Sequence, residues 1–358
     1  MSKAISIIIP TYNEQVNINP LVKKIDAALS GYDYEVVFVD DNSQDGTAET
    51  IEGLASQYPV RVIVRRDERG LASAVVHGIN HTSSEIVAVM DADLQHPPDV
   101  LPALISKAEN GVDIAVASRN VEGGGSQGWS FTRKIISAGA IIIAHLLLPP
   151  TRFIRDPMSG FFVFRRSVVA GARLKPSGYK ILLEIIMEGK FDDVAEVPYT
   201  FATRSKGESK LNAREQIEYL KHIYSLMLRK GELVRFFTFC AVGGSGVLVN
   251  LGLYSLLTRI AGLNTTLSAA ISIETSILTN FILNNFFTFR LRNVPGVKPF
   301  FQRLLKFNLF SLAGLAINLG LLTLFHNVLG IHDILSMLFA IIVVMLWNYL
   351  VNTWWTWR

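Results

Sequence analysis

Hydrophobic positions fall into three regimes along the chain. Through residue 119 they come as short, nearly unbroken runs rich in β-branched side chains: Ala4–Pro10, Tyr34–Asp41, Val60–Arg66, Glu85–Asp93 and Asp113–Arg119. Strands of that composition are buried on both faces of a parallel sheet. Between them lie stretches with helical spacing, such as DGTAETIEGLASQY (Asp45–Tyr58) and GLASAVVHGINHT (Gly70–Thr82). The alternation predicts an α/β fold with a doubly wound, mostly parallel sheet, whose ligands would lie at the carboxyl ends of the strands.

Beyond Arg119 the alternation loosens. Ser130–Pro150, SFTRKIISAGAIIIAHLLLPP, is interrupted by charge and suits a helix lying in a membrane interface. GFFVFRRS (Gly160–Ser167) and DVAEVPYTFAT (Asp193–Thr203) read as further strands, and Asn212–Leu233 as an amphipathic helix that ends in positive charge. The third regime holds four apolar stretches, at about 236–257, 266–289, 307–329 and 334–357. Each is near the ~20 residues that span a hydrocarbon core of ~30 Å at ~1.5 Å per residue. The expected organisation is therefore a globular domain over 1–211, an interfacial linker helix over 212–235, and an all-α membrane domain over 236–358.

The membrane part repeats itself. VNLGL at Val249 matches INLGL at Ile317, and NFILNNFFTFR at Asn280 matches NYLVNTWWTWR at Asn348, both at an offset of 68 positions. Two matches at one offset indicate a duplicated helical hairpin in parallel orientation. The paired asparagines 250/318, 280/348 and 284/352 suit interhelical hydrogen bonds or a lipid or ion path. Glu274, whose counterpart at position 342 is Ile, is the intramembrane carboxylate to which a path would be assigned.

Charge sharpens this picture. The net charge of the 358 residues is +4, yet the residues from Phe236 onward carry seven basic and two acidic side chains, so the first 235 sum to −1. The basic excess flanks apolar spans and does not form a nucleic-acid patch. Arg229, Lys230 and Arg235 precede the first span, five cations from Arg290 to Lys306 fill the middle loop, and Arg358 ends the chain. By the positive-inside rule both termini and the globular domain are expected to be cytosolic. Trp354, Trp355 and Trp357 are expected as interfacial anchors. The single cysteine, Cys240, permits no disulfide within the chain, and the N-terminal segment lacks the features of a signal peptide.

The chemistry concentrates at strand ends. Asp91 and Asp93 close the fourth run, with Gln95 just beyond. Alternate strand side chains point the same way, so the two carboxylates could share a hard divalent cation with Gln95 as a neutral donor; equally, they could cap the helix that begins near Pro97–Asp99. Asp40 and Asp41 could hold a ribose or base, with Ser43 or Asp45 as the following N-cap. His77, His81, His96 and His145 show no zinc spacing and read as surface or capping residues. EGGGSQG (Glu122–Gly128) does not follow the Walker pattern and reads as a flexible lid.

Taken in order, SIIIPTYNE, VVFVDDNSQDGT, RGLASAV, MDADLQHPP and RDPMSGFFVFRR resemble the GT-A-type family that contains the dolichol-phosphate mannosyltransferases. The repeated region resembles the GtrA-like membrane domain. The resemblance implies transfer of mannose from GDP-mannose to dolichyl or another polyprenyl phosphate with inversion, dependent on Mg²⁺ or Mn²⁺. It implies that Pro10, Tyr12, Glu14, Val39, Asp41, Asp91, Ala92, Asp93, Arg204 and Lys210 bind the nucleotide. Asp91, Asp93 and Gln95 would hold the metal, and Arg119, Arg133 and Ser137 the acceptor phosphate. The catalytic set would be Asp91, Asp93, Arg119, Arg133 and Arg204. Without the resemblance, Arg119 and Arg133 read as solvated or headgroup-facing charges. Glucose transfer from UDP-glucose and translocation of a lipid-linked sugar are the alternatives. The bilayer is an expected partner, nucleic acid is not, and the spans could support a homo-oligomer.

Overall fold

The computed structural model describes residues 4–175, 178–202 and 213–357, apart from the side chains of 213 and 214. Two compact units emerge, Met1–Lys230 and Gly231–Arg358. In the first, the described residues form nine strands: β1 (Ile5–Thr11), β2 (Tyr34–Asp40), β3 (Val60–Val64), β4 (Ile86–Val89), β5 (Ile114–Ser118), β6 (Gly125–Ser126), β7 (Phe162–Arg165), β8 (Val194–Pro198) and β9 (Thr200–Phe201). Seven pair in the order β3-β2-β1-β4-β7-β5-β8. All are parallel to their neighbours except β7, which runs antiparallel to β4 and β5. The chain walks outward from β1 to β3, then returns to place β4 on the other side of β1. That reversal opens a crevice at the carboxyl ends of β1 and β4, where doubly wound sheets bind ligands.

The strands alternate between two cores, which explains their unbroken apolar content. Ile5, Ile7, Ile9, Val36 and Phe38 face one side, under α1 (Gln15–Ala28), α2 (Thr47–Leu54) and α4 (Leu101–Glu109). Ile8, Val37, Val39, Val87 and Val89 face the other, under α3 (Leu71–Asn80) and α6 (Ile181–Glu188). Each such side chain contributes roughly 1.5–3 kcal/mol by leaving water.

Two expectations change here. The fourth strand stops at Val89, not Asp93. Its partner β7 pairs only with Ile86–Val89, and the Asp91 N–H goes to the His96 ring instead of a ladder partner. Residues 91–95 therefore form a turn, and strand alternation does not position the two carboxylates. Nor is Glu122–Gly128 a free lid: Gly125 and Ser126 pair with Thr200 and Phe201 as β6 against β9. Gly124 is required there, since a Cβ would lie 2.6 Å from the Ser118 carbonyl oxygen.

Two helices of the first unit carry exposed apolar residues. α5 (Phe131–Leu147) shows Phe131, Ile135 and Ile142, and α7 (Ala213–Arg229) shows Ile217, Leu220, Tyr224 and Leu228. The other side of α7 is buried through Tyr219, Ile223 and Leu226, and the Tyr219 hydroxyl donates to the Ala140 carbonyl of α5 at 2.6 Å.

The second unit comprises α8 (Glu232–Arg259), α9 (Thr265–Leu283), α10 (Val297–Thr323) and α11 (Asp333–Val351). With short π-helical extensions on the last three, all four are long and apolar enough to cross a membrane. The duplication is structural as well as sequential: π-helical turns at Asn284–Thr288 and Asn352–Thr356 occupy equivalent positions. Of the two uses open to the duplicated asparagines, interhelical hydrogen bonds are not seen among the described residues. Asn284 and Asn352 each accept from a threonine hydroxyl four residues on, at 2.7 Å. Asn280 and Asn348 pack on Gly246 and Gly314 of the preceding helices. Trp357 is not an interfacial anchor but fully buried, stacked on Phe289 at 4.3 Å, because the central aromatic cluster absorbs its ring. Glu274 accepts from Asn308 at 2.6 Å.

Candidate functional site

At the crevice, the end of β1 presents Pro10, Tyr12 and Glu14. Tyr12 is exposed, with the Arg69 guanidinium 5.0 Å from its ring centre. Glu14 opens α1, accepting from Asn17 at 2.6 Å, and its N–H donates to Thr47. Val39 is wholly buried, so only its main chain can touch a ligand. Asp41 forms an ion pair with the buried Arg65 and accepts from the Gly70 N–H at 2.7 Å. Asp40 accepts from Thr11 and Ser43, while Asp45 accepts from both the N–H and the hydroxyl of Thr47 at the start of α2. The structure thus gathers Pro10, Tyr12, Glu14 and Asp41 on one edge. It adds Arg65 and Arg69, which no periodicity singles out.

The adjoining turn carries Asp91, Ala92, Asp93 and Gln95. Leu94 between them has φ +62°, a left-handed conformation that costs a β-carbon-bearing residue roughly 1–2 kcal/mol. The turn is held from both sides: the Gln95 N–H donates to Asp93 at 3.1 Å, and the Gln95 amide donates to the Ala202 carbonyl at 2.9 Å. His96 is buried against Phe161, Tyr199 and Phe201, not at the surface as its spacing suggested. Its Nδ1 accepts from the Asp91 N–H at 3.0 Å. Burial lowers its pKa to about 4, so the ring stays neutral and keeps that lone pair. Across the turn, a Cβ on Gly160 would lie 3.2 Å from an Asp91 carboxylate oxygen. The donor set of two carboxylates and an amide suits a hard divalent ion. No cluster of three or more His, Cys, Asp or Glu ligands occurs among the described residues, so substrate oxygens and water would complete such a shell.

Beside the turn a cavity of about 90 Å³ reaches from Asp91 and His96 to Arg119 and Lys180. A second, of about 160 Å³, continues outward between Arg119, Arg133, Ser137 and the apolar Ile136, Ala140 and Met158. Arg119, Met158, Tyr179 and Lys180 line both. Arg119 is not a solvated charge: its guanidinium grips the buried Asp156 with two bonds of 2.7 Å. Burial would lower its pKa, but Asp156 outweighs that and raises it. Arg119 and Arg133 both lie over the Trp129 ring, at 5.2 and 4.3 Å. All three residues assigned to the acceptor phosphate thus share one cavity. Trp129, Asp156, Lys180 and Tyr199 were not singled out, although Asp156 stands inside the RDPMSG motif. Arg204 and Lys210 lie outside the described residues.

Residues 6–171 match the model of Glycosyl transferase family 2, and 238–357 that of the GtrA/DPMS transmembrane domain. Over 355 residues, 99% of each chain, the sequence is 46% identical to the dolichol-phosphate mannosyltransferase of Pyrococcus furiosus. It is 36% identical to that of Saccharomyces cerevisiae over 68% of this chain and 95% of the other. Among solved structures it is similar to the glucosyl-3-phosphoglycerate synthase of Mycobacterium tuberculosis in complex with Mn²⁺, UDP-glucose and phosphoglyceric acid. The TM-score there is 0.50 at 20% identity, over 64% of this chain and 80% of that one, a likeness of fold alone.

Proposed function

From the premise that the chain belongs to the dolichol-phosphate mannosyltransferase family, we propose that it transfers mannose from GDP-mannose to dolichyl or another polyprenyl phosphate, with inversion. It is a multi-pass membrane protein; in this reading the first unit and both termini are cytosolic.

The observation that carries the reading is the pair of adjoining cavities that share Arg119 and Lys180 in their lining. One ends on the carboxylate turn, suited to a metal and a nucleoside diphosphate. The other combines apolar Ile136, Ala140 and Met158 with Arg119, Arg133 and Lys180, three cations against the one carboxylate of Glu215, a lining suited to a prenyl phosphate. Asp91, Asp93 and Gln95 would hold Mg²⁺ or Mn²⁺, which when bound neutralises charge developing on the diphosphate leaving group. Pro10, Tyr12, Glu14, the Val39 main chain and Asp41 line the nucleoside edge. Arg119, Arg133 and Ser137 orient the acceptor, and Arg204 and Lys210 are assigned to the diphosphate by motif. One phosphate oxygen attacks the anomeric carbon of mannose. The carbon–oxygen bond to GDP breaks, and its electron pair leaves with the β-phosphate. The acceptor's second pKa is near ~6, so it arrives already ionised and requires no general base. The exposed apolar residues of α5 and α7 would rest in the headgroup layer and bring the site to the lipid.

Purified protein in detergent, supplied with Mn²⁺ or Mg²⁺ and polyprenyl phosphate, tests this with labelled GDP-mannose and UDP-glucose in parallel. Label should enter the organic phase from GDP-mannose and fall at least about 100-fold in Asp93→Ala. Transfer from UDP-glucose alone would reassign the donor. Transfer from neither, with nucleotide binding intact, would overturn the transferase reading in favour of a translocator.

A further inference from the structure

We infer that Lys180 is an additional anion-binding residue of the transfer site, holding the phosphate monoester of the acceptor where the two cavities meet; this rests on the reading of the reaction above. Lys180 immediately precedes α6 and lines the inner cavity with Asp91 as well as the outer one with Arg133 and Ser137. Its Nζ donates to the Met158 carbonyl at 2.9 Å and lies 4.9 Å from the Tyr179 ring centre. An ammonium has three N–H donors, so this bond leaves others to offer.

Charge balance gives the reason for a further cation. The two 2.7 Å bonds from Arg119 match its charge to the buried Asp156, and Arg133 lines only the outer cavity, which it shares with the carboxylate of Glu215. A phosphate monoester brings a charge of about −1.5 to −2 into this space at neutral pH. A metal held by Asp91, Asp93 and Gln95 would offset the diphosphate separately. The acceptor therefore needs an ammonium at the junction, close to the oxygen that attacks. A compact point charge on a flexible stem suits that position, because it can stay with the phosphate as charge leaves the attacking oxygen.

The bland role for this lysine is to tie the Met158 segment to α6, and the test separates the two. Full-length protein in detergent carrying Lys180→Met or Lys180→Arg is assayed for direct binding of a short prenyl phosphate, the matching prenyl alcohol and inorganic phosphate. Binding of GDP with Mn²⁺ and the thermal midpoint are measured alongside. Lys180→Met should weaken prenyl phosphate binding about 10- to 100-fold, with most recovered in Lys180→Arg. Alcohol binding, GDP binding and the midpoint should stay at wild-type values.

Unchanged prenyl phosphate binding in Lys180→Met overturns the proposal. So does a parallel loss of GDP binding and thermal midpoint, which is the signature of the structural tie. Inorganic phosphate binding as tightly as prenyl phosphate, with the same dependence on Lys180, would also overturn it by making this a general phosphate site. If wild-type protein fails to transfer mannose while lysine-dependent prenyl phosphate binding persists, the reaction assignment fails and the role of Lys180 stands.

Discussion

Single side chains set the carboxylate turn. Leu94 in a left-handed conformation re-aims the chain between Asp93 and Gln95, while His96 and Gly160 confine Asp91 from behind and from the side. A methyl group at position 160 would meet both Asp91 and the His96 ring at 3.2 Å, so the carboxylate must yield by a few tenths of an ångström. Gly160→Ala should therefore weaken Mn²⁺ affinity about 10-fold while the far-ultraviolet spectrum stays native. Isothermal titration of metal in the presence of GDP reads it directly. At this scale the sequence was informative where polar groups break an apolar run, as at Asp91–Gln95. It was silent where partners are distant in the chain: Asp156 lies 37 residues from Arg119, and Arg65 lies 24 from Asp41. Contacts of that kind leave no local period to read.

At the scale of elements, α7 is fastened to α6 by a buried ionic knot. Arg229 bonds Glu184 at 2.8 and 2.7 Å and Glu188 at 3.0 Å, while His222 and the Lys175 N–H also donate to Glu184. Burial alone would raise the Glu184 pKa; the bonds from His222, Arg229 and Lys175, with the Arg229 charge, outweigh it and lower it to about 2. A depressed carboxylate stabilises the fold above its unfolded pKa. The contribution, roughly 3 kcal/mol, is present above pH 4.5 and lost as pH falls toward 2. Glu184→Gln should flatten that acid limb, as followed by the urea midpoint against pH. The amphipathic period announced α7 as a helix but not its docking, because Glu184 sits within an apolar run of α6 and gives no sign of its partners. In the same way β4 could be recognised as a strand but not ended correctly, since its limit is set by the length of its partner β7.

For the whole molecule, the division into an α/β unit and four apolar helices was legible from hydropathy and from the offset of 68. What holds the hairpins was not, because glycine in a membrane helix has several uses. Gly246 meets the Asn280 amide and Gly314 meets that of Asn348; a Cβ would stand 2.3 and 2.9 Å away. Gly246→Val and Gly314→Val should each lower stability by about 1–3 kcal/mol, measured as the loss of thermal midpoint in detergent, with Gly246 the more sensitive site.

The stacked pair Phe289 and Trp357 are counterparts across the duplication. Around them, Phe239 packs on Phe289 at 6.3 Å as Phe307 packs on Trp357 at 5.7 Å. Likewise Phe239 meets Tyr349 at 5.5 Å as Phe307 meets Phe281 at 5.7 Å. A residue can touch its own counterpart only beside the rotation axis that relates the two copies. The two hairpins are therefore related by an approximate two-fold rotation whose axis passes beside this aromatic pair. The Asn308–Glu274 bond departs from that symmetry: one side of the axis carries a polar pair where the other has Cys240 and Ile342.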